Sequence, residues 1–148
     1  MNFTRRTLLL LALILLTVST ALADTNQFAG IWQNVDPQTG GITNIKIQVS
    51  GSRIRIQTWG KCHPSDCAWG VAEGTAYASS VQSNLVETAD TISTIYLTSF
   101  SQILLIIRPT EGGQIQVESL TKFTDQSGRA NYRGIQTFSR VEESAPNK

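Results

Sequence analysis

Residues 43–59 read TNIKIQVSGSRIRIQTW and decide the fold class. Ile and Val alternate with Lys, Gln, Arg and Asn on both sides of Ser50-Gly51, which is the spacing of a strand with one buried face. A glycine between two such runs is typical of a tight turn. The stretch therefore predicts an antiparallel hairpin with strands at 43–49 and 53–59.

The same period of two continues along the chain from Phe28 onward, and helical spacing is nearly absent. Eight sequential strands on short turns predict an all-β fold, an antiparallel up-and-down β-barrel without exposed sheet edges. A two-sheet β-sandwich is the alternative, because the segment 78–91 is the one connection long enough for a crossover. That segment could also hold a short helix or a ninth strand. The other strands are predicted at 28–34, 68–77, 92–98, 102–108, 114–124 and 131–141.

The alternation also predicts which side chains fill the barrel and which face water. An eight-stranded barrel leaves room for packed side chains or for one small ligand. The predicted inward residues are Ile45, Ile47, Val49, Ile54, Ile56, Thr58, Ile115, Val117 and Ser119, and the predicted outward residues are Lys46, Gln48, Arg53, Arg55, Gln57, Gln116 and Glu118.

The first 23 residues have the pattern of a secretory signal peptide. Arg5 and Arg6 precede an apolar run at 8–18, and Ala21-Leu22-Ala23 supplies the small residues that a signal peptidase reads. A membrane anchor is the alternative, but the run is shorter than the roughly 20 residues that cross a bilayer. We expect cleavage after Ala23, a single domain at 24–141, a flexible tail at 142–148 and a periplasmic or extracellular location.

Removing the predicted signal peptide changes the charge of the chain. The full sequence has 12 basic and 11 acidic side chains, and without Arg5 and Arg6 the balance is 10 against 11. A slightly acidic domain does not favour nucleic-acid binding, which needs clustered basic residues. No glycine-rich phosphate loop or dinucleotide fingerprint is present. We therefore expect no nucleic-acid partner, no membrane span in the mature chain and no cofactor.

Two segments stand apart from the regular strands: residues 30–37 read GIWQNVDP, and residues 59–70 read WGKCHPSDCAWG. The Gly-x-Trp of the first resembles the opening strand of lipocalin-like and avidin-like barrels, in which the tryptophan plugs one end. Together the two motifs resemble a group of small, mostly uncharacterised bacterial secreted proteins over residues 28–74. Ala68 departs from this pattern, which has an acid there. The resemblance implies export and a barrel, and it implies no activity.

Cys62 and Cys67 are the only cysteines of the chain. An even number of cysteines in an exported protein predicts a disulfide, here closing a short loop stiffened by Pro64. The alternative is a zinc or copper site made by Cys62, His63, Asp66 and Cys67, although structural zinc sites usually contain two pairs of ligands. We expect the disulfide, and no metal.

His63 is the only histidine, which limits the catalytic mechanisms open to the protein. Serine-type and cysteine-type catalysis normally place a histidine beside the nucleophile. Among the carboxylates, Asp36, Asp66, Glu73 and Asp125 show no spacing that singles out a pair for glycoside hydrolysis. We therefore favour a non-enzymatic protein over an enzyme that uses Asp36, His63 and Asp66.

An up-and-down order places the connections at 35–41 and 61–67 at the same end of the barrel, because one complete hairpin separates them. Loops on a rigid scaffold are common places for binding residues. The alternative is that the polar residues only fix turns while the tryptophans pack the barrel end. We expect this rim to bind a small molecule, or a protein partner if the barrel is filled. The predicted rim residues are Asn34, Asp36, Trp59, Lys61, His63, Asp66 and Trp69.

Overall fold

The computed structural model describes residues 24–141, and the predicted signal peptide and C-terminal tail lie outside the described residues. Eight strands follow one another, and each pairs antiparallel with its neighbours in sequence. β1 also pairs with β8, with Ile31 opposite Val141 and Asn34 opposite Phe138, so the sheet closes on itself. The strands are β1 (Gly30–Asn34), β2 (Ile42–Ser50), β3 (Arg53–Gly60), β4 (Cys67–Tyr77), β5 (Thr91–Leu97), β6 (Ser101–Pro109), β7 (Ile115–Phe123) and β8 (Tyr132–Val141). The predicted up-and-down barrel is confirmed, and the β-sandwich is wrong.

The chain outside the strands differs from the sequence prediction at its start. Thr25–Phe28 forms a 3₁₀ helix, so β1 begins at Gly30 and not at Phe28. Asp24 caps the start of this helix, and its carboxylate accepts a hydrogen bond from the backbone N–H of Asn26 at 2.9 Å. This bond lowers the pKa of Asp24 from its ordinary value. Sequence periodicity missed the helix because a single turn is too short to show a period.

The connection between β4 and β5 contains the other helical turn. Leu85–Thr88, labelled α1, begins after Asn84, whose side-chain oxygen accepts a hydrogen bond from the N–H of Val86 at 3.1 Å. The segment therefore holds a short helix, and it does not hold a ninth strand.

Burial along the strands follows the predicted alternation. Ile45, Ile56 and Val117 are buried, whereas Arg53 and Arg55 are exposed. All nine residues predicted to face inward are buried or half-buried. Among those predicted to face outward, Lys46, Gln57 and Glu118 are half-buried and the rest are exposed.

Large side chains close one end of the barrel. Phe28 and Trp32 are both buried, and the indole N–H of Trp32 donates to the Phe28 carbonyl at 2.8 Å. Arg140 of β8 lies over the Trp32 ring, with its guanidinium carbon 4.4 Å from the ring centroid. It also donates to the carbonyls of Gln27 and Ala29. The 3₁₀ helix, the first strand and the last strand are thereby held together at this end, which we call the closed end.

The seven connections between strands alternate between the two ends, with three at the closed end and four at the other. The β2–β3 turn, the 78–90 segment and the β6–β7 turn lie at the closed end. The connections at 35–41, 61–66, 98–100 and 124–131 lie at the opposite end, which we call the mouth. Both unusual sequence segments therefore contribute a loop to the mouth.

Candidate functional site

A backbone hydrogen bond joins the first two loops of the mouth. The N–H of Lys61 donates to the carbonyl of Gly41 at 2.8 Å, where β2 and β3 meet. The register of these strands shifts between Ile42 and Asn44, next to this contact. The 35–41 and 61–66 loops are thus neighbours, as the up-and-down order requires.

Asn34 and Asp36 shape the first loop from within. Asn34 is buried, and its amide nitrogen donates to the Ile42 carbonyl at 2.7 Å. Its amide oxygen accepts from the N–H of Asp36 at 2.9 Å, and the Asp36 carboxylate accepts from the N–H of Gln38 at 2.9 Å. Side-chain to backbone hydrogen bonds of this kind stabilise turns. The structure therefore places Asn34 and Asp36 at the mouth, where their side chains hold the backbone.

The second loop is closed by the Cys62–Cys67 disulfide, which confirms that prediction. The peptide bond between His63 and Pro64 is cis, and the His63 side chain is exposed. Lys61 Nζ lies 3.8 Å from Asp66 Oδ1 across the loop. Among residues 24–141 no three His, Cys, Asp or Glu side chains are grouped closely enough to hold a metal ion.

The two tryptophans of the second motif point in opposite directions. Trp59 pairs with Asn44 and Ala68 and alternates with the buried Thr58, so its side chain lies on the outer wall. The β3–β4 register shifts between Gln57 and Trp59, and Gly70 adopts a φ of 90° there, a value that glycine tolerates best. This bulge turns Trp69 inward, where it packs edge-on against Tyr96 with 5.6 Å between ring centroids. Of the pair, Trp69 belongs to the barrel interior and Trp59 does not.

The mouth opens into a cavity of about 480 Å³. Eight-stranded barrels can hold one small ligand, and this volume lies within the usual range for ligand pockets. Of the predicted rim residues, only Lys61 and Trp69 line it. The lining residues are Thr39, Gly40, Gly41, Ile42, Gly60, Lys61, Trp69, Ile103, Ser119, Thr121, Tyr132, Arg133, Gly134, Ile135 and Gln136.

Two glycines of the cavity lining make room for neighbouring side chains. A Cβ on Gly60 would lie 2.8 Å from Trp69 Nε1, and a Cβ on Gly134 would lie 2.8 Å from Ser119 Oγ. At both positions a wall side chain lies directly against the glycine backbone, in space that a larger residue would take. The sequence signal for the cavity is therefore the occurrence of glycine, serine and threonine at inward positions near the mouth. In β3 and β7, Ile and Val occupy the inward positions nearer the closed end.

Several polar atoms of the cavity have no hydrogen-bond partner in the part of the chain that the structure describes. Gln136 is satisfied, since its amide nitrogen donates to Thr39 Oγ1 at 2.6 Å and its oxygen accepts from the Ile42 N–H at 3.3 Å. Within residues 24–141, by contrast, no hydrogen bond is made by Ser119 Oγ, Thr121 Oγ1 or Trp69 Nε1. These three groups can therefore bond to water or to a ligand.

The mouth loop at 124–131 is held in place by contacts of Arg129. Arg129 lies over the Phe123 ring, with its guanidinium carbon 3.9 Å from the centroid, and pairs with Asp125 at 2.5 Å. The pKa of Asp125 is lowered, first by its hydrogen bonds to Ser127 and then by Arg129. Sequence analysis missed this cluster because Phe123 and Arg129 do not share a strand periodicity.

Glu118 and Arg133 form an ion pair on the outer wall below the mouth. Arg133 Nε donates to Glu118 Oε1 at 2.5 Å, and Arg108 lies 3.6 Å from the other carboxylate oxygen. The hydrogen bond from Arg133 holds the pKa of Glu118 below its ordinary value. Arg133 therefore reaches the edge of the cavity with its charge already paired.

Tyr96 lies behind Trp69 at the inner limit of the mouth. Its hydroxyl donates to the Ile56 carbonyl at 2.8 Å and contacts Thr58 Oγ1 at 3.1 Å. Burial raises the pKa of Tyr96. A neutral, hydrogen-bonded tyrosine thus separates the packed core from the cavity.

Comparison with models of known protein families, with curated proteins and with solved structures finds no match for this chain. None of the helices within residues 24–141 is long and apolar enough to cross a bilayer.

Proposed function

We propose that this protein binds a small molecule in the cavity at the mouth of the barrel. The observation that carries the proposal is the change in side-chain size along the interior. Isoleucine, valine and large aromatic residues fill the closed end, whereas Gly60, Gly134, Ser119 and Thr121 leave the other end open. A barrel that served only as a scaffold for its outer surface would gain stability by filling this space.

The chemistry of the lining favours binding over catalysis. General acid-base catalysis relies mostly on histidine and on carboxylates. Within the described residues, the cavity lining includes neither, and His63 lies on the exposed side of the disulfide loop. We therefore propose a non-enzymatic role.

Export is part of the same proposal. The Cys62–Cys67 disulfide fits an oxidising compartment such as the periplasm or the extracellular space. A binding protein that works there receives its ligand from outside the cytoplasm, so the ligand must be soluble and stable in that environment.

The proposal is tested with an unselected library of small fragments, acids, bases and neutral compounds together, screened against the mature domain by native mass spectrometry. Ser119 faces the cavity and can be replaced in two ways. Ser119→Leu fills the cavity with an apolar side chain, and Ser119→Ala removes only the hydroxyl. We expect some fragments to bind at one molecule per chain, to be lost in Ser119→Leu, and to be retained in Ser119→Ala.

Two results would contradict the proposed function. One is that no fragment of the library binds. The other is that the fragments bind Ser119→Leu as well as the parent domain, which would put their site elsewhere. Thermal melting of both variants checks that a loss of binding is not a loss of folding.

A further inference from the structure

Both charged residues that line the cavity are cations, and each has a carboxylate partner outside the lining. The lining contains the cations Lys61 and Arg133, and within the described residues it contains no carboxylate. A lining cation attracts an anionic ligand if its own carboxylate partner can be displaced.

Lys61 is the lining cation that is available to form an ion pair with a ligand. Arg133 is already paired with Glu118 at 2.5 Å. Lys61 is held more loosely, since its ammonium lies 3.8 Å from Asp66 and its side chain is 46% exposed. Exposed pairs of this kind contribute little, so an anionic group at the rim can displace Asp66 at small cost. The backbone of Lys61 is fixed by Gly41, which keeps the side chain at the edge of the cavity.

The walls of the cavity differ in polarity. Trp69, Ile42 and Ile103 supply apolar surface, and the indole of Trp69 is held in place by Tyr96. Ser119 and Thr121, on β7, supply hydroxyl groups that have no protein partner within residues 24–141. A flat apolar body suits the first wall, and a hydrogen-bonding group suits the second.

We infer that the mouth takes a small aromatic carboxylate that carries a hydroxyl group. Its carboxylate pairs with Lys61 at the rim, its ring lies against Trp69, and its hydroxyl bonds to Ser119 or Thr121. This assignment rests on the proposed function and adds the charge and shape of the ligand.

Three compounds distinguish the contributions of these contacts to binding. 4-Hydroxyphenylacetate carries all three features, 4-hydroxyphenylacetamide lacks the charge, and phenylacetate lacks the hydroxyl. Binding is measured by isothermal titration calorimetry at low and at high salt. We expect the hydroxylated acid to bind about tenfold more tightly than its amide, and more tightly than phenylacetate. Added salt should weaken the binding of the two acids and leave the binding of the amide unchanged.

Variants of the rim test the role of Lys61 by the ratio of acid to amide affinity, which a purely structural defect would not change. Lys61→Ala should lower that ratio about tenfold. Asp66→Asn should raise it, because the competing carboxylate is gone. Lys122→Ala is the matched control, since Lys122 is an exposed lysine on the outer face of β7 and does not line the cavity.

The inference is overturned if the amide binds as well as the acid, if Lys61→Ala keeps the preference, or if none of the three compounds binds. After any of these results, the proposed function is still supported if uncharged or basic fragments from the unselected library bind in the mouth. If that library also gives no binder, both are wrong.

Discussion

The two ends of this barrel are built from the same strands and differ in the size of their inward residues. At the closed end Phe28 and Trp32 fill the section between the strands and are fully buried. At the mouth Gly60 and Gly134 occupy comparable inward positions and leave a cavity of about 480 Å³. The closed end provides the packing that stabilises the fold, which allows the mouth to remain open. Stability and binding are therefore expected to respond to different substitutions.

The largest expected effect comes from replacing the tryptophan of each end with alanine. Trp32→Ala removes a fully buried indole and its cation–π contact with Arg140. We therefore expect a loss of about 3–5 kcal/mol in the free energy of unfolding. Trp69→Ala removes a half-buried side chain that borders open space, and we expect about 1–2 kcal/mol. Chemical denaturation of both variants measures the difference.

A loss of this size could unfold the Trp32 variant altogether. Trp32→Phe is then the milder test and keeps part of the packing. The comparison of the two ends is wrong if Trp69→Ala destabilises the domain as much as the corresponding change at Trp32.

The disulfide should give an effect of intermediate size that is confined to the mouth. Replacing both cysteines, Cys62→Ser with Cys67→Ser, opens a six-residue loop and should lower the free energy of unfolding by about 2 kcal/mol. Hydrogen exchange should become faster in the 61–66 loop and stay unchanged in β1 near Trp32. Faster exchange at the closed end would show that the two ends are not independent.

The smallest effect concerns the Glu118–Arg133 ion pair on the outer wall below the mouth. The pKa of Glu118 is lower in the folded protein than its ordinary value, so this carboxylate stabilises the fold above that value and the contribution disappears as the pH falls. Glu118→Gln should therefore be less stable than the parent near neutral pH, and the difference should shrink below about pH 4.

Thermal melting between about pH 3 and pH 7 measures this difference, with salt kept constant. Glu111→Gln is the control, because Glu111 lies in the β6–β7 turn and outside the ion pairs of residues 24–141. A constant difference between parent and Glu118→Gln at every pH would contradict the assignment.

The barrel could be predicted from sequence because most of its strands have one apolar face and one polar face. Residues such as Ile45, Ile47 and Ile56 alternate with charged neighbours, and the period of two is strict enough to give both the strands and their inward faces. The up-and-down order then followed from short turns. The 3₁₀ helix at Thr25–Phe28 was missed, since a single turn held by the Asp24 side chain has no periodicity to detect.

The mouth was predicted only in part. Topology placed the two loops together, but it could not tell that Trp59 points outward and Trp69 inward, because the bulge at Gly70 breaks the alternation. Asn34 and Asp36 were candidates for recognition, and their side chains bond the backbone of their own loop. Lining residues on β7 and β8, such as Thr121 and Gln136, come from distant parts of the sequence. Only the register of the closed sheet brings them beside Lys61.

The contact of Arg140 with the 3₁₀ helix has a practical consequence for handling the protein. It holds the segment after residue 24 and the end of β8 together on the side of the barrel that faces away from the mouth. A tag, a linker or a surface attachment placed at either of these points should leave the cavity entrance unobstructed. Immobilised through one of them, the domain presents its mouth to the solution, so binding measured on a surface can be compared directly with binding measured in solution.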